Sequence, residues 1–263
     1  MSNSLFTVCV LLYGDHPELA RRVLFSLVPF SAEFELRVGL NDVSAATRAI
    51  VNEVQEEKGV SLTVFTGHSP YYKYPLMRQM FYSEAHPLVS PYVMWFDDDS
   101  FIKVEAPRTW FNEITQYFVR DSPVDMLGKV YQGVTLPHGK GLQGTQPLWV
   151  ESQPWYTGKP VSVGHQPRFC TGGWWATRTT IINRWNWPPP GDYHNCGDFI
   201  FGELFTQQDY KIKNFDSFVA INADEFGRES RAIRRGAQFV PLGVNCVASV
   251  AKDCWMDVLD SAL

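Results

Sequence analysis

The sequence predicts an α/β fold built on a mostly parallel, doubly wound central sheet with flanking helices. Three observations carry this expectation. Between Phe6 and Phe96 strand-like and helix-like segments follow one another as βαβαβαβ, an order that closes into a parallel sheet through right-handed crossovers. The strand segments at Phe6–Tyr13 and Tyr92–Phe96 are apolar throughout, as strands buried on both faces are. Polar and acidic residues follow these strands directly: Asp15, Asn41, Asp42 and the run Asp97-Asp98-Asp99. In a parallel open sheet they converge on the carboxyl edge, where ligands bind.

The elements follow in order. FTVCVLLY, Phe6 to Tyr13, ends at Gly14 and forms the first strand. Asp15, Pro17 and Glu18 then start a helix, with Leu19, Val23, Leu24 and Leu27 on one face. Phe34 to Leu40 is a second strand, Ser44 to Glu57 a second helix ending before Gly59, and Val60 to Phe65 a third strand. Pro75 to Ala85 is a third helix, and YVMWF, Tyr92 to Phe96, a fourth strand. From Gly128 to Pro167 periodicity is lost in a Gly- and Pro-rich stretch that holds His138, Trp149, Trp155 and His165. So long a structureless stretch reads as a functional loop or lid. Phe169 to Thr177 resumes apolar character, Thr179 to Trp185 and Asp198 to Gln207 read as helices, and Tyr210 to Phe215 as a strand. We expect one domain over residues 1–225, with 130–168 as a lid or acceptor loop and 226–263 as a tail packed on it.

Composition narrows the function classes. The chain has 263 residues, 45% of them apolar and 19% charged, and a net charge of −5, which speaks against a uniformly cationic nucleic-acid or membrane binder. Aromatic residues reach 14%, with nine Trp, enough for a pocket that stacks sugars or bases or for a large aromatic core. The five cysteines, Cys9, Cys170, Cys196, Cys246 and Cys254, show no C-x-x-C spacing, so neither a zinc site nor a disulfide framework is expected. With no signal-peptide pattern and no apolar run of spanning length, the expected location is cytoplasmic, in a prokaryote or a virus-infected host.

MWFDDDSF, Met94 to Phe101, is the strongest local signal. Three carboxylates at the end of a buried strand need a cation or a hydrogen-bond network. Oxygen ligands of this kind suit Mn²⁺ or Mg²⁺ held together with substrate phosphates; a solvated acidic turn is the alternative. The pattern resembles the GT-A glycosyltransferases, Rossmann-like enzymes that use nucleotide sugars and a divalent metal. FTVCVLLYGDHPELARRVLFSL resembles the opening strand and helix of the family-two branch, with Asn41-Asp42 where its uracil-contacting acid falls. Arg78-Gln79 stands where that branch has an Arg-Asn pair. WFDDDSFI and FCTGGWWATR, Phe169 to Arg178, resemble the Fringe-type branch.

The resemblance implies that Asp97 and Asp99 serve the metal, that Asp97 also contacts the nucleotide, and that Asp98 serves either role. It places Asp42 and Arg78 on the donor, although Asp42 also reads as a turn or cap residue. Many GT-A enzymes take a further metal ligand from a C-terminal histidine. No His follows His194 here, so the carboxylates, diphosphate and water suffice or a tail acid such as Asp224 substitutes. Asp198, at the start of the helix after the Gly-Gly segment, matches the acid that takes the acceptor proton in inverting transfer. Glu203 is a second choice, and a helix N-terminal acid favoured by the macrodipole is the plain alternative for Asp198. Gly172, Gly173, Trp174, Trp175 and His194 are assigned to the acceptor site, with one Trp expected in the core because strand side chains alternate.

The implied activity is transfer of a sugar from a nucleotide donor, a UDP-sugar, to a hydroxyl, with inversion. Two acceptors fit: a cell-surface glycan, or a hydroxymethylated base in viral DNA, for which Arg228, Arg231, Arg234 and Arg235 form a phosphate patch. A nucleotidyltransferase is disfavoured because GDHPE, not a basic glycine-rich loop, follows the first strand. A non-catalytic sugar-binding module would not require the carboxylates. GKGLQG, Gly139 to Gly144, matches a dinucleotide fingerprint in letters only, since Pro137 and Pro147 stand where a strand and a helix are needed.

Overall fold

The computed structural model describes residues 4–67, 73–132, 150–160, 168–190 and 197–221. Strands β1 (Phe6–Tyr13), β2 (Phe34–Asn41), β3 (Leu62–Gly67) and β4 (Tyr92–Asp97) alternate with helices α1 (Pro17–Leu27), α2 (Ala45–Glu56) and α3 (Lys73–Tyr82). After β4 come the short β5 (Phe101–Ile102), α4 (Trp110–Val119), β6 (Met126–Gln132) and β7 (Arg168–Arg178). Helices α5 (Thr179–Trp185) and α6 (Gly197–Gln207) and strands β8 (Ile212–Asn214) and β9 (Val219–Ala220) complete the described part.

Seven strands form one sheet in the order β3-β2-β1-β4-β7-β6-β8, and β5 pairs with β9 apart from it. The β1–β2, β1–β4, β2–β3 and β6–β8 pairs are parallel. Strand β7 runs antiparallel between β4 and β6, with Phe96 opposite Trp174 and Met126 opposite Thr177. The expected mostly parallel α/β sheet is therefore present, and the carboxyl ends of β1, β2 and β4 share an edge with the amino-terminal end of β7.

Alternation along each strand splits the core between the two faces of the sheet. Val8, Val10, Leu12, Phe96 and Trp174 pack under α1, α2 and α4, in contact with Leu24, Val51 and Trp110. Cys9, Leu11, Trp95 and Trp175 pack under α3 and α6, with Met77, Met80, Phe201 and Leu204. Helix α6 reaches the sheet because Gly202 lacks a side chain: a Cβ there would stand 2.5 Å from the Arg168 carbonyl oxygen and 2.4 Å from the Phe169 Cβ. Backbone cannot yield as a side-chain tip can, so Gly202→Ala is expected to cost about 3 kcal/mol, the upper end of overpacking effects. Urea unfolding checks this; a midpoint equal to that of the parent protein contradicts the close approach of α6 to β7.

The stretch expected to be irregular from Gly128 onward begins instead as strand β6. Its residues 150–160 dock against the end of α6. Trp155 is buried, and its carbonyl accepts from Gln208 Nε2 at 2.6 Å. Thr157 N–H donates to Gln207 Oε1 at 3.1 Å, and Lys159 Nζ lies 2.7 Å from Asp209 Oδ2. A chain segment cross-tied by polar groups to the end of α6 behaves as part of the domain. The rest of the expected lid, 133–149 and 161–167, lies outside the described residues, as does the tail from 222 onward.

Candidate active site

The acidic run is not a solvated turn. Asp97, Asp98 and Asp99 are each at most 3% exposed. The Ser100 N–H donates to the Asp97 carbonyl at 3.1 Å, folding the chain back toward β5. Trp95 and Asp97, two residues apart on β4, face the same side of the sheet. The Trp95 indole N–H donates to Asp97 Oδ1 at 2.9 Å. From α3, Lys73 Nζ donates to Asp97 Oδ2 at 2.9 Å and lies 2.8 Å from Oδ1. The same ammonium donates to the Gly172 carbonyl at 3.1 Å and sits 5.4 Å from the Trp95 ring centroid.

Gly172 and Gly173 occupy an irregularity in β7. Gly128 pairs with Trp175 and Val130 with Cys170, so Lys129 alone on β6 is spanned by Thr171–Trp174 on β7. Such a bulge re-aims backbone groups beside a site. Here it turns the Gly172 carbonyl to Lys73 and its N–H to Asp198, whose Oδ2 accepts at 3.2 Å. A Cβ on Gly172 would lie 3.3 Å from Lys73 Nζ and 3.5 Å from Asp198 Oδ2, so the ammonium and the carboxylate flank one glycine. The starts of α3 and α6 are brought together by Gly197, where a Cβ would stand 1.9 Å from Tyr74 Oη. Asp97, Lys73, Gly172 and Asp198 thus form one polar group at the carboxyl edge.

The other residues singled out from the sequence are distributed as follows. Asp42 directly follows β2, exposed, with a left-handed φ of 52°, an uncommon geometry that recurs at ligand sites. Nearby, Ser44 Oγ donates to Asp15 Oδ1 at 2.6 Å and accepts from the Thr47 N–H at 3.1 Å, capping α2. Arg78 is engaged by the chain that follows α5. Its guanidinium donates to the Asn186 carbonyl at 3.0 Å and to the Pro188 carbonyl, and packs on Tyr82, fastening α3 to the chain beyond α5. Trp174 and Trp175 are both core residues. Trp174 packs with Phe96 and Trp110, and Trp175 stacks on Trp95 at 6.1 Å. Both indoles are thus occupied by packing partners. Glu203 is buried, and its Oε1 accepts from Gln207 Nε2 at 2.9 Å, within the network that holds 150–160. His194, Arg228, Arg231, Arg234 and Arg235 lie outside the described residues.

Lys73 is a member of the site that the sequence reading misses. Its signal is faint: one Lys inside the aromatic sequence YYKY. Covalent chemistry through the described cysteines is excluded. Burial pushes the Cys9 thiol up to about 12 and raises that of Cys170 as well, so neither supplies a thiolate at neutral pH. Among the described residues no three His, Cys, Asp or Glu side chains form a group suited to a metal ion, and no helix is long and apolar enough to cross a membrane.

A mostly parallel sheet with antiparallel β7 beside β4, and carboxylates at the end of β4, is the arrangement expected of the GT-A fold. Solved structures agree. A mannosyltransferase from Pyrobaculum calidifontis, PcManGT, in complex with GDP-Man and Mn²⁺, superposes with a TM-score of 0.52 at 13% identity, over 82% of this chain and 55% of that one. TarS 1–349 from S. aureus, in complex with UDP-GlcNAc, gives a TM-score of 0.52 at 14% identity, over 90% of this chain and 62% of that one. The chain thus spans somewhat over half the length of these two proteins. No protein-family model and no curated protein matches the sequence.

Proposed function

We propose that this protein transfers a sugar from a nucleoside-diphosphate donor, a UDP-sugar, to an acceptor hydroxyl, with inversion at the anomeric carbon. The observation that carries this is the placement of Asp198 beside the Asp97–Lys73 pair, across Gly172, at the carboxyl edge of a GT-A sheet. The nucleotide sugars bound to PcManGT and TarS support the donor class.

Asp198 takes the proton of the acceptor hydroxyl as its oxygen attacks the anomeric carbon; the bond from that carbon to the diphosphate oxygen breaks, and the diphosphate leaves with the electron pair. The Gly172 N–H fixes one Asp198 oxygen and so orients the base. Asp42, exposed at the end of β2, accepts from the nucleobase N–H. The hard carboxylate oxygens of the acidic run suit Mn²⁺ or Mg²⁺. They fit such an ion through Asp99 more readily than through Asp97, whose two oxygens both face the Lys73 ammonium before donor binds. A divalent ion there would neutralise the leaving diphosphate. Asp98 stands beside it.

The test is a thermal-shift panel of UDP- and GDP-sugars with and without Mn²⁺. The stabilising donor is then incubated with a glycan acceptor and with DNA containing hydroxymethylated bases. We expect a UDP-sugar to raise Tm and one acceptor to become labelled. No shift with any nucleotide sugar contradicts the assignment.

A further inference from the structure

We propose that Lys73 is a built-in counter-cation for the donor diphosphate, so that nucleotide binding retains a metal-independent component. The proposal rests on the glycosyltransferase reading above and goes beyond it by assigning a residue that neither the resemblance nor Arg78 supplies.

Three observations combine. Lys73 is 7% exposed, yet its ammonium lies at the carboxyl edge of the sheet, against Asp97, the Gly172 carbonyl and the Trp95 ring. A buried ion pair is a weak source of stability, since removing both charges is often neutral; its presence at the ligand edge calls for a role there. Next, three carboxylates follow one another at residues 97–99 and a further one, Asp198, flanks Gly172. That concentration of negative charge repels a diphosphate unless cations are part of the site. Last, Arg78, the cation expected at the donor, is committed to Asn186 and Pro188. Lysine suits this role, because a point charge on a four-carbon stem can turn from a carboxylate to a phosphate oxygen over a short distance. With donor absent it closes on Asp97 and Gly172. With donor present it meets the diphosphate, while Asp97 keeps the Trp95 N–H as a partner.

Calorimetry with UDP in the presence of a chelator, and NMR titration with uridine, test this on the full chain. Wild-type protein is expected to bind UDP without metal. Lys73→Met is expected to lower UDP affinity tenfold or more and to leave uridine affinity unchanged, because uridine carries no phosphate. Asp97→Asn frees the ammonium from its carboxylate and is expected to raise UDP affinity in chelator several-fold. If Lys73→Met alone fails to fold, with Asp97 left without its cation, the double variant Lys73→Met, Asp97→Asn removes both charges and is compared with Asp97→Asn alone. Equal loss of UDP and uridine makes Lys73 a structural residue and overturns the proposal, as does unchanged UDP affinity. A wild type that binds UDP only with Mn²⁺ overturns this proposal and leaves the transferase reading standing. One that binds neither UDP nor GDP in either condition removes both.

Discussion

Asp198→Asn is expected to lower kcat by 10² or more while changing donor affinity by no more than a few-fold. Asparagine keeps the shape of aspartate and can still accept the Gly172 N–H bond through its amide oxygen, so the bulge in β7 and the start of α6 stay in place. It cannot take a proton. A general base contributes on the order of 10²–10⁴ in rate, and its removal shows in kcat rather than in donor binding. Glu203→Gln is the control. Glu203 is buried beneath the 150–160 segment and accepts from Gln207, and glutamine preserves an acceptor there, so activity should stay within a few-fold. An active Asp198→Asn together with an inactive Glu203→Gln would reverse the assignment. The anomeric configuration of the product, read by NMR, checks inversion independently.

Strands β1 and β4 are legible in the sequence because a strand buried on both faces must be apolar at nearly every position, and helices α1 to α3 because one buried face repeats with helical spacing. Helix α4 carries the same signature in Trp110, Phe111, Ile114 and Phe118, but it lies between the acidic run and a stretch that reads as irregular, which obscures it. Strand β6 is hidden for a different reason. Its Gly128 lets the Cys170 sulfur approach to 2.7 Å of where a Cβ would be, and glycine at that position reads as loop. The bulge in β7 leaves no local mark beyond Gly172-Gly173, because it exists only relative to the register of β6.

The site divides along the same line. The sequence points to Asp97 and Asp198 because each stands at a predictable end of an element. It does not point to Lys73, whose partners, Asp97 and Gly172, are 24 and 99 residues away. Trp174 and Trp175 show the converse. Alternation correctly sends them to opposite faces, but in a sheet covered on both sides each face is core. Arg78 has the right position in the chain for a donor contact, yet helix α3 turns it toward Asn186 instead.

Asp99→Ala is expected to abolish the effect of metal on nucleotide binding. With wild-type protein, Mn²⁺ should raise UDP affinity well above its value in chelator, because a divalent charge at the acidic run offsets the repulsion between buried carboxylates and the diphosphate. Without donor, both Asp97 oxygens lie within 2.9 Å of the Lys73 ammonium, which makes Asp97 the less open ligand of the two. Asp99 ends the run, and its Oδ1 accepts from Ser100 Oγ at 3.4 Å; ligation there leaves Lys73 able to turn to the diphosphate. Removing the Asp99 carboxylate should therefore bring the affinities with Mn²⁺ and with chelator together, at the level that Lys73 supports alone. Calorimetry of UDP in the two conditions reads this directly. A metal effect that survives in Asp99→Ala and vanishes in Asp97→Asn would move the ion to Asp97.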